Sequence, residues 1–303
     1  MQFAELLQQG TILLDGATGS NLMKAGMPRG VCTESWIESN PQPLIDLQKA
    51  YIAAGSNIIY APTFSANRHS LSRHNLQRRV KELNLALVRL SKQAANGQAL
   101  VAGDMTTTGT PLEPLGTMKY GDLFDIYCEQ ASALNEAGAD LIVIETMLGI
   151  DETSVALEAV KSVCDLPVLC SVTVQADGGL YFGGHCVEAV QTLQELGASA
   201  VGINCSLGPE QLVSLVRNMK ASATIPLLVK PNAGMPVISD EGEAIYPMSA
   251  EVFAEYMLPL IDAGANLVGG CCGTTPEFIA ALHRRLAEKQ KYFAPDNILN
   301  NVF

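Results

Sequence analysis

Four times along this chain a helix-forming stretch closes on a glycine and opens at once into an apolar run: Ala54-Gly55-Ser56, Ala137-Gly138-Ala139, Leu196-Gly197-Ala198 and Ala263-Gly264-Ala265. Glycine just past a helix end enters the left-handed region without a Cβ clash, so it marks where a helix stops and the chain turns back. An apolar run straight after that turn reads as a buried strand. The same alternation can be followed through the whole chain, with strands beginning near Thr11, Asn57, Leu100, Asp140, Pro167, Ala200, Pro226 and Asn266. Eight strands alternating with helices predict an α/β fold, a single-domain (β/α)8 TIM barrel over residues 1–303. A doubly wound sheet is the alternative, but the even spacing favours closure. Helices are expected over 43–54, 76–95, 123–137, 150–163, 187–196, 209–219, 250–263 and 276–290. A short helix within 2–9 precedes the barrel, and residues 291–303 read as a terminal strap. The third strand is expected to be short, Leu100 to Ala102, and to lead into a long loop from Gly103 to Gly121.

A barrel of this kind does its chemistry where the strands end. Asp15, Glu145, Cys205, Asn232, Cys271 and Cys272 all fall there by this reading. Cys271 and Cys272 lie in Gly269-Gly270-Cys271-Cys272-Gly273 at the end of strand eight, and Cys205 ends strand six in Gly202-Ile203-Asn204-Cys205. Strands six and eight are both even-numbered, so their inward residues share a layer and the three thiols can meet. Three thiolates at strand ends suggest zinc with one open position. Such a centre carries a net negative charge and is a poor Lewis acid. It suits binding of a fourth thiol, whose proton it removes, leaving a sulfur nucleophile at neutral pH.

Other strand-end residues allow two readings each. The loop Asp15-Gly16-Ala17-Thr18-Gly19-Ser20 lies between a strand and a helix. Its backbone amides either receive a small anion or simply make a tight turn. Neither a Walker A loop nor a dinucleotide fingerprint is present. Glu145 is a carboxylate at the end of a buried run, which is costly unless paired. Lys230, at the end of strand seven, is either a Schiff-base lysine of an aldolase or the partner of an acidic neighbour.

The net charge of −12 argues against nucleic acid and against an anionic membrane surface. No apolar run reaches the roughly 20 residues of a membrane span. The N-terminal segment lacks the features of a secretory signal, and eight cysteines in such a chain suit a reducing compartment, so a cytoplasmic location is expected. Cys32, Cys128, Cys164, Cys170 and Cys186 read as core or incidental thiols, and His69, His74, His185 and His283 lack metal-ligand spacing.

Taken together, Asp15-Gly16-Ala17-Thr18-Gly19, Ile144-Glu145-Thr146, Gly202-Ile203-Asn204-Cys205, Lys230-Pro231-Asn232-Ala233-Gly234 and Gly269-Gly270-Cys271-Cys272-Gly273 resemble the zinc-dependent homocysteine S-methyltransferase family. The chain looks most like the homocysteine-binding barrel of its cobalamin-dependent methionine synthase branch. The resemblance runs from about Leu13 to Leu286. It implies one zinc on Cys205, Cys271 and Cys272, with Asp15 and Glu145 on the substrate ammonium and Asn232 nearby. The backbone at Ala17 and Thr18 would receive the substrate carboxylate. The implied reaction is methyl transfer to homocysteine, giving methionine, with methylcobalamin on a separate corrinoid protein or domain as the donor. Two features depart from that pattern. Thr106-Thr107 stand where the third-strand loop usually has Gly-Pro, on the donor side. The folate and corrinoid domains of the full enzyme are also absent from the sequence. A fragment, a separate corrinoid partner and a small donor of the S-methylmethionine or betaine type are all compatible with this. A non-catalytic accessory subunit is the remaining alternative.

Overall fold

The computed structural model describes residues 2–205, 207–239 and 244–292. Eight parallel strands form one sheet: β1 (Ile12–Leu13), β2 (Ile58–Tyr60), β3 (Leu100–Thr106), β4 (Leu141–Met147), β5 (Val168–Val172), β6 (Ala200–Asn204), β7 (Leu227–Lys230) and β8 (Ala265–Val268). Each strand pairs with its neighbour in sequence from β2 to β8, and β8 pairs with β1 through Ile12–Leu267 and Leu13–Val268. A parallel bridge between Leu14 and Ile58, with Asn57 N–H donating to Leu13 C=O at 2.7 Å, brings β1 back to β2 and closes the ring. The expected (β/α)8 barrel is therefore the observed one. Gly55, Gly138, Gly197 and Gly264 all have positive φ, between 84° and 114°, as the helix-to-strand turn requires.

Alternation along the strands divides the core in two. Ile58, Ala102, Leu141, Val143, Leu169 and Leu228 belong to an inner cluster that fills the barrel. Their sequence neighbours Val101, Ile142, Cys170, Val201 and Val229 face the helices outside. Phe3 and Leu6, from the short helix Phe3–Leu7, join the inner cluster and plug its amino-terminal end. The inner rows do not stay apolar to the top. One step beyond Leu228 comes Lys230, beyond Ala102 comes Asp104, beyond Val143 comes Glu145, and beyond Leu169 comes Ser171. The barrel is thus an oily cylinder with a polar upper layer.

Several boundaries differ from expectation, each for a local reason. The third strand runs on to Thr106 because Met105 and Thr106 pair with Ile144 and Glu145. Thr63 also ties both backbone groups of Asp104, accepting from its N–H at 2.9 Å and donating to its C=O at 2.8 Å. The loop that follows is correspondingly shorter. The helix expected from Leu76 starts at Val80, and a separate turn of helix, Arg68–Ser72, is capped by the Asn67 side chain. The helix expected over 209–219 splits into a 3-10 turn, Pro209–Gln211, and a helix, Val213–Ser222. A small hairpin, Val237–Ile238 with Ala244–Ile245, was not anticipated. The strap at 291–303 falls almost wholly outside the described residues. No described helix is long and apolar enough to cross a membrane.

Candidate functional site

The three strand-end cysteines converge. The Sγ atoms of Cys205, Cys271 and Cys272 all lie within 4.8 Å of one another, and Cys205 Sγ is 3.8 Å from Cys272 Sγ. Four ligands at about 2.3 Å in a tetrahedron stand about 3.8 Å apart, so the trio fits three corners of a zinc site. No other group of this kind occurs among the described residues. Packed this closely, the thiols share protons. Hydrogen bonds from Cys205 and Cys271 bring Cys272 down to about 3, the range of a stable thiolate, while the same contacts push Cys271 up.

One turn places all three cysteines. Lys230, Pro231, Asn232 and Ala233 follow β7, between the two cysteine strands. Lys230 C=O receives the Cys205 N–H at 3.0 Å, and Pro231 C=O receives the Cys271 N–H at 2.8 Å. Asn232 Oδ1 receives the Cys272 N–H at 3.1 Å, and Ala233 N–H donates to Cys272 C=O at 2.9 Å. Asn232 is therefore a support for the cysteine loop, packed beneath it. Cys205 itself sits at φ 61°, and Thr146, at the end of β4, at φ 58°. Left-handed backbone in a non-glycine residue costs about 1–3 kcal/mol and persists only where its surroundings enforce it. Asn204 does much of that enforcing. Its Oδ1 accepts from Thr146 N–H and from Ser171 Oγ, both at 2.8 Å. Its Nδ2 donates to Thr146 Oγ1 at 2.8 Å and approaches Glu145 Oε2 at 3.3 Å and Cys271 Sγ at 3.9 Å.

The glycines around the cysteines serve close approach more than bending. A Cβ on Gly269 would lie 2.6 Å from Asp15 O, and one on Gly270 would lie 2.5 Å from the Thr274 side chain. Thr274 is the clip between the first and last loops. Its Oγ1 accepts from Ala17 N–H at 3.1 Å and donates to Cys271 C=O at 2.7 Å. Tyr51 Oη and Asn21 Nδ2 both donate to Ala17 C=O, at 2.8 and 2.7 Å. The Ala17 amide is engaged with Thr274, and Thr18 caps the helix Gly19–Lys24, whose first-turn amides have no intrahelical partner.

Above the thiols opens a cavity of about 940 Å³. Asp15, Thr18, Tyr60, Asp104, Glu145 and Lys230 line its floor together with the cysteines, and Met23, Phe64, Arg73 and Tyr246 are among those nearer the mouth. Lys230 is not a free amine. Its Nζ donates to Asp15 Oδ1 at 2.9 Å and lies 3.6 Å from the centre of the Tyr60 ring, and both partners of the pair are under 5% exposed. Burial works against the Lys230 ammonium, but Asp15, Tyr60 and Glu145 outweigh it and hold the pKa well above the ordinary lysine value. A protonated, ion-paired lysine is no Schiff-base nucleophile, which removes the support for an aldolase. Asp15 Oδ2 also accepts from Tyr60 N–H at 2.7 Å, so each of its oxygens holds one hydrogen bond. Burial raises Asp15, with Lys230 opposing. Burial also raises Glu145, to about 7, and Lys230 again opposes.

The sequence reading missed Asn204, Tyr60, Thr274 and Asp104. It also missed Glu152, buried beneath the third loop. Glu152 accepts from Thr107 Oγ1 at 2.5 Å, Thr108 N–H at 2.7 Å, Thr108 Oγ1 at 2.8 Å and Tyr127 Oη at 2.8 Å. That carboxylate pins Thr107 and Thr108, at the start of the loop after β3.

Known proteins resemble this arrangement along nearly the whole chain. The methionine synthases of Mycobacterium tuberculosis and Mycobacterium leprae are each 30% identical to it, over 96% and 91% of this chain. The chain spans about a quarter of the length of those relatives, 26% and 24%. Among solved structures, the Escherichia coli homocysteine methyltransferase MmuM in its oxidised form superposes with a TM-score of 0.77 at 25% identity. That match covers 91% of this chain and 96% of MmuM. Its metallated form superposes at 0.79 with 24% identity, over 93% and 99%. A family model described as homocysteine S-methyltransferase matches residues 12–286, and the chain belongs to that family.

Proposed function

We propose that this chain transfers a methyl group to the thiol of homocysteine, forming methionine, at a zinc ion held by Cys205, Cys271 and Cys272. The convergence of three thiols at zinc-like spacing is the observation that carries this reading. Zinc bound there would hold the substrate sulfur as a thiolate at neutral pH. The chain's own residues do the rest. The turn from Lys230 to Ala233 fixes the three ligands, and Asn204 braces the Cys205 strand end against β4 and β5. Glu145 faces the cavity and has only a 3.3 Å contact from Asn204 on one oxygen, so it can receive the substrate ammonium. The Thr18 amide and those after it offer donors for the substrate carboxylate. Asp15 lines the floor, neutralised by Lys230, and shapes the ammonium pocket from below.

The cavity is far larger than an amino acid needs, and this supports a bulky methyl donor entering from the mouth. We take that donor to be a methylated corrinoid on another protein or domain. A second reading, a small donor of the S-methylmethionine type, is supported by the size of MmuM, a homocysteine methyltransferase matched over 96% of its chain. Eight free cysteines support a cytoplasmic workplace.

The test is elemental analysis of the purified chain with X-ray absorption at the zinc edge, before and after homocysteine. About one zinc per chain, gaining a fourth sulfur neighbour with homocysteine, is expected. No zinc under reducing conditions, or no added sulfur, refutes the reading. Turnover with methylcobalamin against S-methylmethionine then separates the donors.

A further inference from the structure

Tyr246 directly follows the hairpin strand Ala244–Ile245 and reaches down from the mouth side of the cavity towards the cysteines. Its ring lies over Gly273, the residue after Cys272, where φ is 82° and any Cβ would collide with the ring. Two residues on, Met248 packs at Gly234, so this stretch is anchored next to the turn that places the cysteines. The Tyr246 hydroxyl makes a hydrogen bond with Cys272 Sγ, and the Cys205 and Cys271 thiols are close enough to act on it through their charge. A phenol keeps its proton up to a pH of about 10, so at neutral pH it can only donate to a thiolate. Cys271 is also approached by a donor, Asn204 Nδ2 at 3.9 Å.

The proposed reaction sets a problem of selectivity. The substrate thiolate would stand beside three cysteine thiolates, and a donor able to methylate one sulfur is chemically able to methylate another. Attack by a cysteine would form its own S–C bond and break the bond from the methyl group to its carrier, whose electrons stay with the carrier. The cysteine would become an uncharged thioether, and the site would lose one ligand charge. A hydrogen bond donated to a thiolate stabilises its charge and draws on its lone pair. Nucleophilicity falls as a thiolate is stabilised in this way. Such donors around a metal's ligands tune what the ligands do.

We propose that Tyr246 is a positioning residue that protects Cys272 from alkylation: its hydroxyl engages the Cys272 sulfur and so leaves the substrate sulfur as the stronger nucleophile. The inference rests on the proposed function, in which Cys272 is a zinc ligand beside the methyl acceptor. The position suits the task. Tyr246 stands on the cavity side of Cys272, the side from which a methyl donor arrives, and its ring is fixed against Gly273.

The experiment is alkylation of the zinc-loaded chain by iodoacetamide, without homocysteine, followed residue by residue by peptide mass spectrometry. Cys128, a half-buried thiol on the helix Tyr120–Glu136 and outside the cavity lining, is the internal reference. Tyr246→Phe keeps the ring and removes the donor. Cys272 should then be alkylated about tenfold faster, part of the worth of a charged hydrogen bond, with Cys128 and zinc content unchanged. A second measurement uses cobalt(II) in place of zinc: the sulfur-to-cobalt charge-transfer band should move to longer wavelength in the variant, because the sulfur lone pair has lost its donor. An unchanged Cys272 rate in the zinc-loaded variant overturns the proposal. So does an equal rise at Cys205, Cys271 and Cys272, which would mean a loosened site, and so does loss of zinc, which would make the hydroxyl a structural prop. If the wild-type chain takes up no zinc, the proposed function fails and this inference falls with it; zinc uptake with no effect of the substitution sinks this inference alone.

Discussion

Replacing Lys230 by methionine tests the buried ion pair beneath the site. Both partners are under 5% exposed, so Lys230→Met leaves the Asp15 carboxylate with only the Tyr60 N–H. Removing one partner of a buried pair costs about 3–5 kcal/mol. The variant has one escape, which is to fold with Asp15 protonated. For a carboxyl with an ordinary pKa of about 3.9, that costs about 1.4 kcal/mol per pH unit above it. The ceiling is therefore about 5 kcal/mol at about pH 7.5 and about 1.5 kcal/mol at about pH 5. The sign follows from linkage. Without Lys230 the folded-state pKa of Asp15 lies above its unfolded value, so stability is greatest at low pH and is lost as pH rises towards the folded value. The loss of the ammonium from the Tyr60 ring adds about 0.5–2 kcal/mol that does not vary with pH, offset in part by burial of the methionine. Urea unfolding of wild type and variant at both pH values measures this, with the metal contribution cancelling in the difference. The double variant Lys230→Met with Asp15→Asn should recover most of the loss at the higher pH. A penalty under about 1 kcal/mol, or one that is flat across this pH range, refutes the account of Asp15 as a charge held by Lys230.

Cys272→Ser should reduce bound zinc from about one per chain to near none in elemental analysis while the circular dichroism stays that of the barrel; full zinc occupancy would remove Cys272 from the ligand set. Asn232→Ala strands the Cys272 N–H and should weaken zinc about tenfold in chelator competition, at a cost of about 1–3 kcal/mol in stability. Equal zinc affinity would mean the turn does not set the ligands. Gly202→Ala brings a Cβ to within 1.8 Å of the Leu228 carbonyl oxygen, and a loss of about 3 kcal/mol or insoluble expression is expected. Glu152→Gln replaces an acceptor of four hydrogen bonds and should cost about 2–3 kcal/mol, with faster hydrogen exchange confined to the loop after β3. Uniform loosening of the whole barrel would argue against a local lock.

What could be read from the sequence and what could not divide along physical lines. The glycine after each helix has a local cause, the left-handed residue that ends it, and so the barrel was visible in the spacing of Gly55, Gly138, Gly197 and Gly264. The cysteines were visible because adjacent thiols at strand ends have few other uses. Asp104 and Glu152 were hidden because their value depends on partners far away in the chain. The apolar run alone ends the third strand at Ala102, whereas carrying the inward alternation one step further places Asp104 on β3, next to β4. Lys230 is the reverse case. Its residue type allowed two chemistries, and only the distance to Asp15, 215 positions away, decides between them. The engagement of the Ala17 amide by Thr274 was equally out of sight, because Thr274 comes from the far end of the chain.

The turn from Lys230 to Ala233 ties both cysteine strands together, while the outer wall of the cavity is built from the segments after the first two strands and from Ala244 and Tyr246. The geometry of the cysteines and the access to them are thus encoded in separate stretches of gene. On the proposed function, lengthening or exchanging the outer segments would alter which methyl carrier fits without moving a cysteine. Such a barrel can remodel its entrance in evolution far more readily than it can rearrange its cysteines.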